Sequence, residues 1–152
     1  MNVLYCGDKN IEKGLIISIL SLLKNVKEEL KIYVLTINLK TGEKQIQGVT
    51  NKCIEILDKE TKKANQKNFV KKIDITQLFE KEIPTINLET RFTPCCMLRL
   101  FADEIPELPD KILYLDNDVI ARKDCTQFYH QNIEEYEFAR SFRLLWKMVF
   151  QK

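Results

Sequence analysis

Two aspartates, Asp116 and Asp118, interrupt an otherwise apolar run in ILYLDNDVIA at residues 112–121. An unpaired ionised carboxylate is costly in a protein core, so the pair predicts the end of a strand, near water or a cation. A turn or a bulge at Asn117, a residue that tolerates unusual backbone angles, would let both carboxylates approach one divalent cation. Mg²⁺ or Mn²⁺ suits such oxygens and commonly brings a phosphate with it. The pattern predicts phosphate-linked chemistry; the alternative is a polar turn after a buried strand.

A second polar stretch, CGDKN at residues 6–10, also follows an apolar run and precedes a helical pattern. In a parallel sheet it would open at the same edge as Asp118, where open α/β sheets bind ligands. Backbone N–H groups at the helix start, with the side chains of Asp8 and Asn10, could hold a nucleotide base and ribose. Asp8 is equally well explained as the N-cap of the first helix.

The sequence contains neither G-x-G-x-x-G nor G-x-x-x-x-G-K-[ST], the glycine-rich phosphate-binding motifs. Phosphates would therefore be met by a metal and by side chains. Arg99, on the helix before the aspartate-bearing strand, could supply a cation to a diphosphate or fix an aspartate in place. The alternative is a surface arginine on an otherwise apolar helix.

Histidine and cysteine offer weaker signals. His130 is the single histidine and lies in the polar stretch FYHQN, which predicts a solvated loop. Cys95 and Cys96 begin the Arg99 helix, where a thiol pKa can be lowered, but without an evident basic partner they predict core packing. The five cysteines are an odd number without CxxC spacing, so we expect reduced, mostly buried thiols and neither a disulfide framework nor a thiolate zinc site.

The strands and helices that must position these residues are predicted from hydrophobic periodicity and from the glycine, proline and polar residues that interrupt it. The opening strand, helix and strand form a βαβ unit, which predicts parallel pairing. The fold class predicted is α/β, with a mainly parallel sheet flanked by helices. The predicted strands are 2–6, 31–37, 69–75 and 111–115, and the predicted helices are 11–23, a lysine-rich amphipathic helix between Thr41 and Asn65, and a helix from Thr93-Pro94 to about Glu104.

Composition limits the class of protein. A chain of 152 residues with 45% hydrophobic residues predicts one globular domain. The net charge of +2 provides no global field for nucleic acid or an anionic membrane. The N-terminus carries no export-type leader and no segment reaches the length of a transmembrane span, so we expect a cytoplasmic protein.

Four segments in order, VLYCGDKN, ISILSLLKN, FTPCCMLRLF and DKILYLDNDVI, make the chain resemble glycosyltransferase family 8. These are retaining enzymes with a GT-A (Rossmann-like) fold that use nucleotide sugars. The resemblance covers residues 1–139 and the donor-binding half of the family pattern. It implies transfer of a hexose from a UDP-sugar, UDP-glucose or UDP-galactose, to a glycan or lipid-linked acceptor, with Mn²⁺ (or Mg²⁺) as cofactor.

The resemblance also implies roles for individual residues but identifies no catalytic group. The family often stacks an aromatic residue on uracil shortly after the loop aspartate, and this chain has Ile11 there. The implied donor-binding residues are Cys6 (through its backbone), Asp8 and Asn10 at the nucleoside, Asn117 at the ribose, Arg99 at the phosphates or sugar, and Asp116 and Asp118 as ligands of Mn²⁺.

The tail, residues 140–152, is basic and aromatic where the family tends to be small, polar or acidic. The family's later His-x-x-Gly-x-x-Lys-Pro type segment is missing too. Together they predict a truncated or frameshifted chain with impaired or no turnover; alternatively, the tail is an ordinary amphipathic helix. Two other functions stay open: a haloacid-dehalogenase-like phosphatase, which also has an apolar strand before D-x-D, and a non-catalytic nucleotide-sugar-binding remnant that self-associates.

Overall fold

The computed structural model describes residues 1–41, 44–82, 94–133, 138–140 and 147–151. Two short segments are 3₁₀ helices, Lys9–Ile11 and Pro94–Glu104, and we call the second the Arg99 helix. The strands are β1 Asn2–Cys6, β2 Lys31–Thr36, β3 Leu39–Thr41, β4 Lys44–Ile46, β5 Phe69–Asp74, β6 Lys111–Leu115, β7 Phe138–Arg140 and β8 Lys147–Gln151; the α-helices are α1 Glu12–Asn25, α2 Asn51–Ala64, α3 Thr76–Lys81 and α4 Thr126–Tyr129.

The main sheet has six strands in the order β5-β2-β1-β6-β8-β7. Four neighbouring strands, β5, β2, β1 and β6, are parallel, and β8 and β7 continue the sheet with antiparallel pairing. A separate hairpin, β3–β4, lies between β2 and α2. The prediction of an α/β fold with a mainly parallel sheet is confirmed.

The central strands β1 and β6 are apolar because both of their faces are covered. Val3, Leu4 and Tyr5 are fully buried, and none of the last four residues of β6 is more than 2% exposed. Side chains alternate between the two faces of a strand. Leu113 and Leu115 therefore join the core under α1 and α2, whereas Ile112 and Tyr114 join the core under the Arg99 helix and α3.

The lysine-rich helix begins later than the sequence pattern predicted. Apolar residues from Ile46 suggested a helix across residues 41–65, but the first part of that stretch forms the β3–β4 hairpin. Helix α2 starts after Thr50, whose hydroxyl accepts the Cys53 N–H at 3.2 Å as an N-cap. The predicted amphipathic character of this helix is confirmed, because Lys59 and Lys62 are exposed whereas Leu57 is buried.

Two further predictions, for the helix before β6 and for the tail, need correction. The helix predicted from Thr93-Pro94 is 3₁₀ rather than α, and Thr93 falls outside the described residues. Lys147–Gln151 is a strand paired with β6, so the amphipathic helix considered for the tail is wrong there, and the proposed boundary at residue 139 falls within β7. None of the described helices combines the length and apolar content of a membrane span.

Candidate nucleotide and metal site

The two predicted polar loops open at the same edge of the sheet. Strands β1 and β6 are adjacent and parallel, with Val3 opposite Leu113 and Leu4 opposite Tyr114. Continuing that register places the end of β1, at Cys6, level with Asp116. Residues 6–10 and 116–121 therefore both begin at the carboxyl ends of neighbouring parallel strands, the position at which open α/β sheets bind ligands.

Of the turn and the bulge that the sequence left open at Asn117, the D-x-D segment forms the turn. The Val119 N–H donates to the Asp116 carbonyl at 3.1 Å, so Asn117 and Asp118 are the two central residues of the turn. Asp116 is half-buried and Asp118 is exposed. The turn thus follows directly from a buried strand and brings two acidic side chains to the surface of the site.

A polar chain links Asp116 to Arg99 through Tyr114. The Tyr114 hydroxyl donates to Asp116 Oδ1 at 2.6 Å, and Arg99 Nη1 donates to the Tyr114 hydroxyl at 3.4 Å. The guanidinium carbon of Arg99 also lies 5.4 Å from the centre of the Tyr114 ring. Burial raises the pKa of Tyr114, and the bond to Asp116 raises it further, so Tyr114 remains a neutral donor at ordinary pH.

Cys6 lies within electrostatic reach of both charges. Burial raises the pKa of the Cys6 thiol; the Arg99 charge opposes this effect and the Asp116 charge adds to it. Cys6, Arg99 and Asp116, predicted from three separate segments, are therefore brought together. A protonated thiol makes no anionic contact, which is compatible with the expectation that Cys6 acts through its backbone.

The predicted fate of the cysteines is confirmed for most of them. None of the five cysteines, all of which lie in the described part of the chain, forms a disulfide, and Cys53, Cys95 and Cys125 are buried. Burial and the negative charge of Asp8 raise the pKa of Cys95 to about 12, so this thiol stays protonated and packs in the core. Cys96, its neighbour, is exposed.

The polar side chains of the first loop form hydrogen bonds within the loop. Asp8 Oδ1 accepts the Asn10 backbone N–H at 2.9 Å, and Asp8 Oδ2 accepts Asn10 Nδ2 at 3.1 Å. Lys9 N–H donates to the Gln47 carbonyl at 2.8 Å, which ties the loop to the segment after β4. Asp8 therefore caps the short 3₁₀ helix, and the structure brings it together with Asn10. Their contact with a nucleoside stays a prediction.

Helix α1 supports the second loop, a role that sequence reasoning missed. A Cβ atom on Gly14 would lie 2.6 Å from the Asn117 carbonyl oxygen, so only glycine permits this approach. Ser21 Oγ accepts the Ala121 N–H, and Asn25 Nδ2 donates to the Ala121 carbonyl, both at 2.8 Å. Gly14 within an apolar helix was the one available sequence signal, because glycine there is unfavourable without a packing reason.

The acidic pair fits a hard divalent cation only in part. Among the residues that the structure describes, no group of three His, Cys, Asp or Glu side chains could hold a metal. Asp116 and Asp118 supply two carboxylates, and Mg²⁺-type ions are commonly held by one or two carboxylates with water and substrate phosphates completing the shell. The donor set therefore suits a cation that arrives with a phosphate ligand.

His130 does not belong to this site. It is exposed, as predicted, and its Nε2 lies 2.9 Å from Glu28 Oε2. Glu28 also lies 3.6 Å from the N-terminal ammonium group, and Met1 precedes β1 at the opposite edge of the sheet. The histidine is therefore remote from Asp116 and Asp118.

Comparisons with known proteins identify the family and the fold. The family model described as glycosyl transferase family 8 matches residues 2–143. A comparison with curated protein sequences gave no significant match.

Several solved structures share the fold at low identity. The galactosyltransferase LgtC, in complex with donor and acceptor sugar analogs, is 15% identical with a TM-score of 0.71, and the match covers 99% of this chain and 58% of LgtC. GlyE from Streptococcus pneumoniae TIGR4 is 20% identical with a TM-score of 0.63, over 99% of this chain and 34% of GlyE. Mouse xyloside xylosyltransferase 1 is 13% identical with a TM-score of 0.51, over 84% of this chain and 46% of that protein. The chain thus spans between a third and somewhat more than half of their lengths, and the expected GT-A fold is confirmed.

Proposed function

The chain belongs to glycosyltransferase family 8, and from this membership we propose that it binds a UDP-hexose with Mn²⁺ or Mg²⁺ at the shared edge of β1 and β6. We propose further that the bound donor serves transfer of its hexose, with retention of anomeric configuration, to a glycan or lipid-linked acceptor. The observation that carries the proposal is that Cys6 and Asp116 follow each other in register at the carboxyl ends of adjacent parallel strands, and that Arg99 is linked to Asp116 through the Tyr114 hydroxyl.

The charges of the site suit a metal diphosphate. Asp116 and Asp118 would hold the cation, and Arg99 would approach the phosphates or the sugar. Burial lowers the pKa of Arg99, but the Tyr114 hydrogen bond and the Asp116 charge outweigh this effect and raise it, so the guanidinium stays positive. A charged guanidinium beside a carboxylate pair offers both signs of charge that a diphosphate and its cation require.

The first loop would bind the other end of the donor. We assign the nucleoside to the Cys6 backbone, Asp8 and Asn10, and the ribose to Asn117. The mutual hydrogen bonds of Asp8 and Asn10 fix their positions before any ligand arrives, which reduces the entropy lost on binding.

The cation, when bound, would neutralise charge that develops on the departing diphosphate. The chain's own contribution is to orient the donor between its two loops. The phosphatase alternative depended on the apolar strand and the D-x-D motif that follows it, and the family match over residues 2–143 includes both within a glycosyltransferase pattern. We therefore do not carry the phosphatase forward.

Calorimetric titration tests the proposal. UDP should bind the folded protein in the presence of Mn²⁺, more tightly than CDP or GDP, and the binding should weaken at least about tenfold when EDTA removes the metal, the lower bound for loss of a charge-assisted contact. Absence of UDP binding to a protein that unfolds cooperatively would contradict the proposal. Binding that does not change with EDTA would contradict its metal component.

A further inference from the structure

We propose that Tyr114 is a positioning residue that holds Asp116 and Arg99 in one site while keeping them from pairing directly with each other. The inference rests on the proposed function, because its consequence is that the carboxylate remains available for a cation and the guanidinium for a diphosphate. In the sequence, Tyr114 is one residue of the apolar run that forms β6.

The strand geometry places Tyr114 between the two charges. Tyr114 and Asp116 are two residues apart at the end of β6, so they emerge toward the same face of the sheet. That face is covered by the Arg99 helix. Tyr114 is only 2% exposed and is packed in the core on that side, so its ring forms a rigid wall at the base of the site.

The hydroxyl contacts both charged groups. It donates to Asp116 Oδ1 at 2.6 Å and accepts from Arg99 Nη1 at a longer 3.4 Å. The guanidinium also lies within the range of a cation–π contact with the ring, 5.4 Å from its centre. The ring and the hydroxyl thus both restrain Arg99, and the hydroxyl also restrains Asp116.

Arg99 and Asp116 form no direct ion pair in the part of the chain that the structure describes, although the Asp116 charge acts on the Arg99 guanidinium. A direct arginine–carboxylate pair can form two parallel hydrogen bonds and is stronger than a bond to a neutral hydroxyl. Without the hydroxyl, the two side chains would therefore turn toward each other. Such a pair would satisfy each charge internally and weaken the binding of both cation and diphosphate.

The variant Tyr114→Phe isolates the hydroxyl, because the ring and its packing remain. The matched control is Tyr5→Phe, which removes a fully buried hydroxyl that bonds Ser18 Oγ at 2.7 Å on neighbouring β1. Mn²⁺ affinity is measured by electron paramagnetic resonance of the free ion, and UDP affinity by calorimetry. Neither readout requires turnover.

We expect Tyr114→Phe to weaken Mn²⁺ binding by about 10- to 100-fold, the effect typical of residues that support metal ligands. Tyr5→Phe should bind Mn²⁺ as the unaltered protein does. In an Arg99→Gln background, Tyr114→Phe should reduce Mn²⁺ affinity by only about threefold or less, because the guanidinium that would pair with Asp116 is gone. The effects of the two substitutions are therefore not additive.

The outcomes separate this inference from the proposed function. If the unaltered protein binds Mn²⁺ and folded Tyr114→Phe binds it equally well, the positioning role is wrong and the proposed function stands. If Tyr114→Phe weakens Mn²⁺ binding equally with and without Arg99, Tyr114 does not act by keeping Arg99 and Asp116 apart. If the unaltered, folded protein binds neither Mn²⁺ nor UDP, the proposed function and this inference both fail.

Discussion

The loops after β1 and β6 open at the same edge of the sheet but are stabilised differently. In the first loop, residues 6–10, Asp8 accepts two hydrogen bonds from Asn10, and a backbone bond joins the loop to the β4–α2 connection. The second loop, residues 116–121, is held by helix α1 at Gly14, Ser21 and Asn25, while Asp118 remains exposed.

The difference separates residues that shape the site from those that present charge to a ligand. A loop closed by its own side chains is preorganised, so a substitution there should change stability and binding together. A loop held by a neighbouring helix can leave its carboxylates to a ligand, so a substitution of an exposed carboxylate should change binding alone.

Replacing Asp118 with Asn should have the largest effect on binding. We expect Mn²⁺-dependent UDP affinity to fall by about 100-fold, the upper end for perturbation of a metal site. Because Asp118 is exposed, the free energy of unfolding should change by less than about 0.5 kcal/mol. Calorimetry and urea denaturation measure the two quantities.

The control for that variant is Asp110→Asn, an exposed aspartate just before the opposite end of β6. It removes the same charge and should leave UDP affinity unchanged. Equal effects of the two substitutions would show that general charge, rather than the D-x-D turn, controls binding.

Replacing Gly14 with Ala should disturb the second loop through α1. The added Cβ would meet the Asn117 carbonyl oxygen at 2.6 Å. Overpacking of this kind costs about 2 kcal/mol, which corresponds to about 30-fold in UDP affinity if the loop is displaced. Calorimetry measures the loss, and Lys13→Ala, at the exposed neighbouring position, serves as the control.

Gly14→Ala could instead stabilise α1, which would contradict this prediction. Alanine is intrinsically a better helix former than glycine by about 1 kcal/mol. A variant that is more stable than the parent and binds UDP equally well would show that α1 does not control the position of Asn117.

Replacing Asp8 with Ala should affect stability and binding together. Loss of the cap should lower the free energy of unfolding by about 1 kcal/mol, and UDP affinity should fall by about tenfold, the worth of one hydrogen bond to a charged group. Asp8→Asn retains a capping oxygen and should therefore retain the stability. If Asp8→Ala changed stability but left UDP affinity intact, Asp8 would have only its structural role.

Replacing Asn25 with Ala should have the smallest effect. Its side chain donates to the carbonyls of Ser21 and Ala121 at 2.9 and 2.8 Å. Losing the second bond should reduce UDP affinity by about threefold, since Ser21 still holds Ala121 and a hydrogen bond is worth about 1 kcal/mol net. A loss as large as that of Asp118→Asn would contradict the contrast between supporting and ligand-facing residues.

The strands that position the site were predictable because their burial is continuous. Both β1 and β6 begin and end where the sequence indicated, since a strand covered on both faces reads as an apolar run that stops sharply at polar residues. The turn at Asn117 followed from the same contrast. The bounds of α2 were less predictable, because the short hairpin before it contains Ile46, which fits helical spacing by coincidence.

The contacts that shape the site depend on distant packing and were not predictable. Tyr114 reads as one more apolar residue, and its role depends on Arg99, fifteen positions away. The support by α1 joins residues about 100 positions apart. The pairing of β8 with β6 is likewise non-local and places a strand where the tail suggested a helix.

Reciprocal binding of Mn²⁺ and UDP tests whether one edge of the sheet holds both the metal and the diphosphate. If both occupy the edge shared by β1 and β6, UDP must tighten Mn²⁺ binding by the same factor by which Mn²⁺ tightens UDP binding. Titration of Mn²⁺ by electron paramagnetic resonance, with and without saturating UDP, measures the first factor, and calorimetry measures the second. We predict equal factors of at least about tenfold, the range of strong coupling between sites, and their loss in Asp116→Asn. Mn²⁺ binding that is unchanged by UDP in the folded protein would contradict a shared metal and diphosphate site.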